Sequence, residues 1–155
     1  MIKTKNSFRA KAVAYSGETT KEWKFGEIYT ELDYGCGFNQ FIRETDYENQ
    51  EGLYCPQSEY KIDSKTICQY TGMNHKNGVE IYEGDILIDV EFDENNNDIS
   101  GKFPVVYDSS KCQFAIDNSF KKDGSSLVNF IEYFGVENLE IVGNIHDNPE
   151  MLFYF

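Results

Sequence analysis

QYTGMNHKNGVEIYEGDILIDV, residues Gln69–Val90, reads as strand, tight turn, strand, second turn and strand. Asn77-Gly78 is the strongest short hairpin signal in the chain, because both residues accept positive φ at little cost. Val79–Tyr82 resumes extended chain and Glu83-Gly84-Asp85 turns again. Ile86–Phe92 then alternates, with Ile86, Ile88, Val90 and Phe92 on one face and Leu87, Asp89 and Glu91 on the other. This is the pattern of a half-buried antiparallel strand with an acidic outer face. Period two with hairpin turns makes the fold mainly β, a β-rich α+β class built from antiparallel strands.

The same reading extends in both directions. Downstream, Asp93–Gly101 is a polar loop, and Phe103–Tyr107 and Gln113–Ile116 are strands around a turn at Asp108-Ser109-Ser110. The period then changes: Leu127, Phe130, Ile131 and Phe134 recur at helical spacing, which predicts one short helix near 126–134. Leu139–Ile145 is the last strand, and Asp147-Asn148-Pro149-Glu150 a capped final turn. The apolar tail Met151–Phe155 would be a liability if exposed and is expected to pack on the fold or on a second copy. Upstream, Ser64–Thr71 is a strand, and Phe8–Tyr15 with Trp23–Leu32 forms a hairpin whose second strand is covered on both sides or bulged at Gly26. Phe38–Arg43 is a short strand inside an otherwise irregular 33–62. The chain divides into 1–64 and 65–155, either as two domains or as one cooperative unit.

Charge narrows the function classes. The 155 residues carry a net charge of −13. Residues 1–63 hold 8 Lys+Arg against 11 Asp+Glu, and the rest hold 6 against 16. Between Asn77 and Gly101 there is no cation and eight carboxylates: Glu80, Glu83, Asp85, Asp89, Glu91, Asp93, Glu94 and Asp98. Such a surface repels phosphate, so direct nucleic-acid binding is not expected; it can attract a basic partner. The N-terminal MIKTKNSFRAKAVAYSG has no apolar signal core, and no run approaches the roughly 18 apolar residues of a membrane span, so a cytoplasmic protein is expected. Cys36, Cys55, Cys68 and Cys112 have no C-x-x-C spacing and no His at zinc spacing, so four reduced thiols and no metal are expected. The D-x-N-x-N opening at Asp93 has Asp98 where a calcium loop needs Gly and Pro104 where it needs Glu. No nucleophile or carboxylate pairs visibly with His75, and His146 has only Asp147 beside it. No catalytic constellation and no cofactor are therefore expected.

The motifs carry a resemblance. Gln69–Met73, Lys76-Asn77-Gly78 and Glu80–Ile86, closed downstream by Ile141–Ile145 and Asn148-Pro149-Glu150, are similar to the YopX-like family of small phage and prophage proteins. Phe8-Arg9 and Trp23–Gly26 resemble its N-terminal part. The resemblance implies a mainly β fold with an SH3-like barrel in the C-terminal part, and no mechanism. The expectation is a non-catalytic accessory protein that interacts with an unknown protein partner or assembles with itself as a homo-oligomer. The alternative is an acidic DNA mimic that inhibits a host DNA-handling enzyme. The candidate interaction surface is the polar tip and acidic face: Asn74, His75, Lys76, Asn77, Glu80, Glu83, Asp85, Asp89 and Glu91.

Overall fold

The structure is a computed structural model that describes residues 7–33, 35, 37–44, 58–75, 77–89, 94–95, 101–117, 128–129 and 139–152, with the backbone alone at 89, 128 and 129. The chain falls into two compact units, Met1–Tyr70 and Thr71–Phe155.

The first unit holds β1 (Phe8–Val13), β2 (Thr19–Asp33), β3 (Gly37–Arg43), β4 (Glu59–Lys61) and the opening residues of β5 (Cys68–Asn74). Antiparallel pairing runs β4-β3-β2-β1-β5. The sheet curls, because Ile62 forms an isolated bridge with Ala12 while its amide donates to Gln40 O. Ala10, Ile42 and Ile62 are buried inside the curl, with Ile28, Tyr60 and Ile67 against them. No register shift falls at Gly26, where Phe8 pairs with it and Arg43 with the next residue, so the bulge is not there; the need for glycine is steric. A Cβ there would lie 1.8 Å from the Arg43 carbonyl oxygen, at a φ of +156° that only glycine adopts readily. Ser64–Thr66 is a 3-10 turn and not the start of a strand, because the Asp63 carboxylate accepts the Lys65 N–H and caps it.

The second unit continues β5 from Thr71 into a hairpin with β6 (Glu80–Tyr82). It also contains β7 (Asp85–Asp89), β8 (Gly101–Asp108), β9 (Gln113–Ile116), β10 (Val128–Asn129) and β11 (Glu140–Asn144), in the order β10-β9-β8-β7-β11. These are open sheets; β10 and β11 stand at opposite ends of the order, and no closed barrel is found among the described residues. The expected helix is corrected at Val128–Asn129, which is extended and pairs with Ile116 and Ala115; the rest of 126–134 lies outside the described residues. Strand pairing along β9 outweighs a helical spacing carried by only four apolar residues. The expected half-exposed strand at 86–92 is also corrected. Leu87, placed on the outer face, is buried in the core with Ile81, Phe103, Val105, Ile116 and Leu139, and Ile86 is fully buried as well. β7, paired with β8 and β11 at its edges, carries a fully buried side chain on each face, Ile86 on one and Leu87 on the other, and its Ile-Leu-Ile run is the mark of that burial.

The β8–β9 turn has one strained residue. Cys112 has φ 53°, the only positive φ on a non-glycine among the described residues. Asp108 holds the turn: its Oδ1 accepts both the Ser110 amide and the Ser110 hydroxyl. These bonds, the hydroxyl foremost, keep the Asp108 carboxyl below its ordinary range although burial acts the other way. Left-handed backbone costs an ordinary residue about 1–2 kcal/mol, and glycine gives part of that back as unfolded-state entropy. Cys112→Gly is therefore expected to raise stability by about 0.5–1 kcal/mol in a urea titration; an unchanged or lower midpoint would contradict the strain.

Candidate functional site

The motif residues of the second unit are used to hold turns. At the β5–β6 tip, His75 N–H donates to Val79 O and Gly78 N–H to His75 O, 2.8 Å each. The Asn74 side-chain amide donates to Gly78 O at 3.2 Å. His75 Nδ1 accepts the Asn77 N–H at 3.4 Å, and the ring is 9% exposed, so this histidine is a buried turn residue and not a surface one. Lys76 lies outside the described residues.

The next turn is also braced by its own side chains. Asp85 is 1% exposed, and its Oδ2 accepts the Tyr82 N–H at 2.8 Å across the Glu83-Gly84 turn. Glu80 Oε2 accepts the Tyr82 hydroxyl at 2.6 Å. Glu83 is half-buried; the Asp89 side chain and Glu91 lie outside the described residues. The downstream motif meets this turn directly: Ile145 N–H donates to Gly84 O at 2.9 Å, and Asp85 stands opposite Asn144. Asn144 Oδ1 accepts the amides of His146 and Asp147, and its Nδ2 donates to Asp147 Oδ2. Gly143 leaves room for Asn148, whose Oδ1 would lie 2.6 Å from any Cβ placed there. Two motifs separated by more than fifty residues thus join at one end of the sheet, and their polar groups satisfy one another. Of the nine surface candidates, Asn74 and Asn77 share the tip; His75 and Asp85 are internal.

Sequence reasoning missed a different surface, in the first unit. Beyond the core, β2 and β3 run on as an arm whose paired residues are Ile28↔Ile42, Thr30↔Gln40 and Leu32↔Phe38. All six share one face, by the period of two. The face begins inside the core at Ile42 and ends in solvent, where Leu32 is 70% and Phe38 72% exposed. Beside it lies an open groove of about 620 Å³, lined by Thr30, Phe38, Gln40, Val13, Ile62 and the Lys61/Asp63 rim among others. The opposite face is locked at its base. The Arg43 guanidinium bonds Glu59 at 2.7 Å and lies over the Tyr29 ring at 4.8 Å, and Tyr29 stacks on Phe41 at 5.5 Å. The Arg43 bond, then that of the Tyr29 hydroxyl, holds the Glu59 carboxyl below its ordinary range. The signal for the arm was present in the alternation Ile28, Thr30, Leu32 and Phe38, Gln40, Ile42, but it is split by the Asp33–Gly37 turn. Among the described residues no three His, Cys, Asp or Glu side chains group as metal ligands, and no helix is long and apolar enough to cross a membrane.

Fold and site together define a small, mainly antiparallel β protein whose motifs brace turns. The chain belongs to the YopX family: the model described as YopX protein matches residues 8–153, nearly its whole length. Among solved structures it is similar to protein EF1440 from Enterococcus faecalis, at 22% identity and a TM-score of 0.46 over 94% of this chain and 96% of that one. No curated protein matches the chain.

Proposed function

We propose that this YopX-family protein is a non-catalytic phage or prophage accessory protein of the host cytoplasm that acts by docking to another protein chain. The observation that carries the reading is the Leu32–Phe38 pair, two large apolar side chains left in solvent on a paired hairpin beside a groove. Exposed apolar patches next to concave surface mark interaction sites. Aromatic anchors of this kind dominate binding energies. A second reading, the DNA mimic, draws on the eight carboxylates between Asn77 and Gly101. It is weakened by the use of Asp85 and Glu80 inside the fold.

The test is affinity capture from nuclease-treated host lysate with wild-type protein and Phe38→Asp, eluted in salt steps. Docking through the arm predicts a partner that survives high salt and is lost with Phe38→Asp, since apolar burial is insensitive to screening. A DNA-handling enzyme released at low salt, and still bound by Phe38→Asp, would overturn this reading in favour of the mimic.

A further inference from the structure

We propose that the β5–β6 tip is a site of spontaneous covalent modification, in which Asn77 closes onto the Gly78 nitrogen and is hydrolysed to aspartate and isoaspartate. Asn77-Gly78 is the one Asn-Gly pair in the chain. Both residues are exposed. Gly78 has no side chain to crowd its nitrogen, and nothing stands within 4 Å of where a Cβ would lie. The Asn77 backbone N–H is held by His75 Nδ1, while its carboxamide takes no hydrogen bond among the described residues. Four other asparagines spend theirs inside the fold. Asn39 donates to Asp33, Asn74 to the Gly78 carbonyl and Asn144 to Asp147, and Asn148 Oδ1 accepts the Asn144 amide. Each of the four also precedes a residue that carries a side chain.

The chemistry needs only water. The Gly78 nitrogen attacks Asn77 Cγ, forming an N–Cγ bond as the Cγ–Nδ2 bond breaks. Nδ2 leaves as ammonia and takes the Gly78 amide proton with it. Water then opens the cyclic imide at Cγ to give aspartate, or at the main-chain carbonyl to give isoaspartate; nothing is oxidised or reduced. One bond controls the rate. Gly78 N–H donates to His75 O at 2.8 Å, and that proton must be released before the nitrogen can attack, so reaction follows local opening of the turn. Isoaspartate puts one more carbon into the main chain between His75 and Val79. The Gly78–His75 and His75–Val79 bonds then no longer close the same turn. Either product adds a negative charge to a chain already at −13 and changes the polar tip for good.

Incubation of the full chain in heavy-oxygen water at mildly alkaline pH, followed by peptide mass spectrometry, tests the proposal. The label enters only where water has opened an imide. Asn77 is expected to take it up at least tenfold faster than Asn39, Asn74, Asn144 or Asn148. The same chain unfolded in guanidinium should convert at Asn77 faster still, because the Gly78–His75 bond is gone. Gly78→Ala should slow Asn77 at least tenfold, and the comparison is made in guanidinium as well, where any effect of the variant on folding drops out. A folded chain that takes no label at Asn77 while the unfolded one does would overturn the proposal, since the turn would then close the site. Uptake at Asn77 no faster than at the four bonded asparagines would overturn it too, as would equal rates at Asn77 in the folded and unfolded chain.

Discussion

Gly26→Ala is expected to cost the first unit about 3–5 kcal/mol, from the combined effects of overpacking and a backbone conformation nearly reserved to glycine. The position sits where β2 ceases to pair with β1 alone and begins to pair with β3: Gly26 stands opposite Phe8, and Glu27 opposite Arg43. The Arg43 carbonyl is drawn over the vacant side of the glycine, with Cβ space occupied to 1.8 Å, and the backbone of Glu44 lies 3.1 Å away. Backbone atoms of a paired strand cannot swing aside as a long side chain can. Relief therefore means parting β3 from β2, and with it Ile42 from the core. Trp23, the chain's one tryptophan, lies three residues away under the Arg9 and Lys11 cations and provides the readout. The urea midpoint of its fluorescence should fall by about 1–3 M at ordinary m-values. Gly17→Ala is the control. Its φ is +88° but nothing stands within 4 Å of the added methyl, so only the backbone cost of about 1–2 kcal/mol applies. Equal losses at the two sites would refute the steric account.

The contrast between these two glycines shows what the sequence can and cannot carry. A glycine inside a strand pattern signals a bulge or a close approach, and Trp23–Leu32 carried that signal at Gly26. Which backbone approaches depends on β3, seventeen residues on. The turns at Asn77-Gly78 and Glu83-Gly84 were legible because their chemistry is local, and both glycines have φ +80°. The joining of Gly84 to Ile145 was not, since nothing in either motif states its partner. The outer-face assignment of Leu87 failed for a related reason. Alternation identifies two faces of a strand but not whether a second layer covers the other one. The polar turn tip places His75 on the surface, while its Nδ1 folds back to meet the Asn77 amide and the residue is buried. The arm at Leu32 and Phe38 was hidden in two half-patterns that only the β2–β3 register unites. Local chemistry was thus readable, and long-range pairing, which decides coverage and exposure, was not.

In the second unit the largest loss should follow Phe103→Ala, about 3–5 kcal/mol for a large ring removed from a core that cannot collapse around the gap. Phe103 is fully buried, and its register partner Leu87 is 1% exposed and itself paired with Ile141. The ring also lies over Gly101 two residues before it on the same face, within 2.0 Å of where a Cβ would be. Removing the ring therefore opens space against backbone on one side and against Ile81, Val105 and Ile116 on the other. These neighbours belong to strands held by ladder hydrogen bonds, so the cavity persists and its cost adds to the lost transfer energy. Phe103→Leu keeps most of the volume and should cost about 1–1.5 kcal/mol. Tyr107→Ala supplies the surface comparison: the ring is 46% exposed, meets the edge of Phe114 at 5.4 Å and has the Cys112 thiol at its hydroxyl, so about 1 kcal/mol is expected. Thermal unfolding followed by far-ultraviolet circular dichroism should rank the three losses in the order Phe103→Ala, Phe103→Leu, Tyr107→Ala. A Phe103→Ala loss no larger than that of Tyr107→Ala would mean that the strands around the ring can close on the space. The second unit's core would then be a loosely packed one, and β7, covered on both faces, would have to draw its stability from the ladders to β8 and β11 instead.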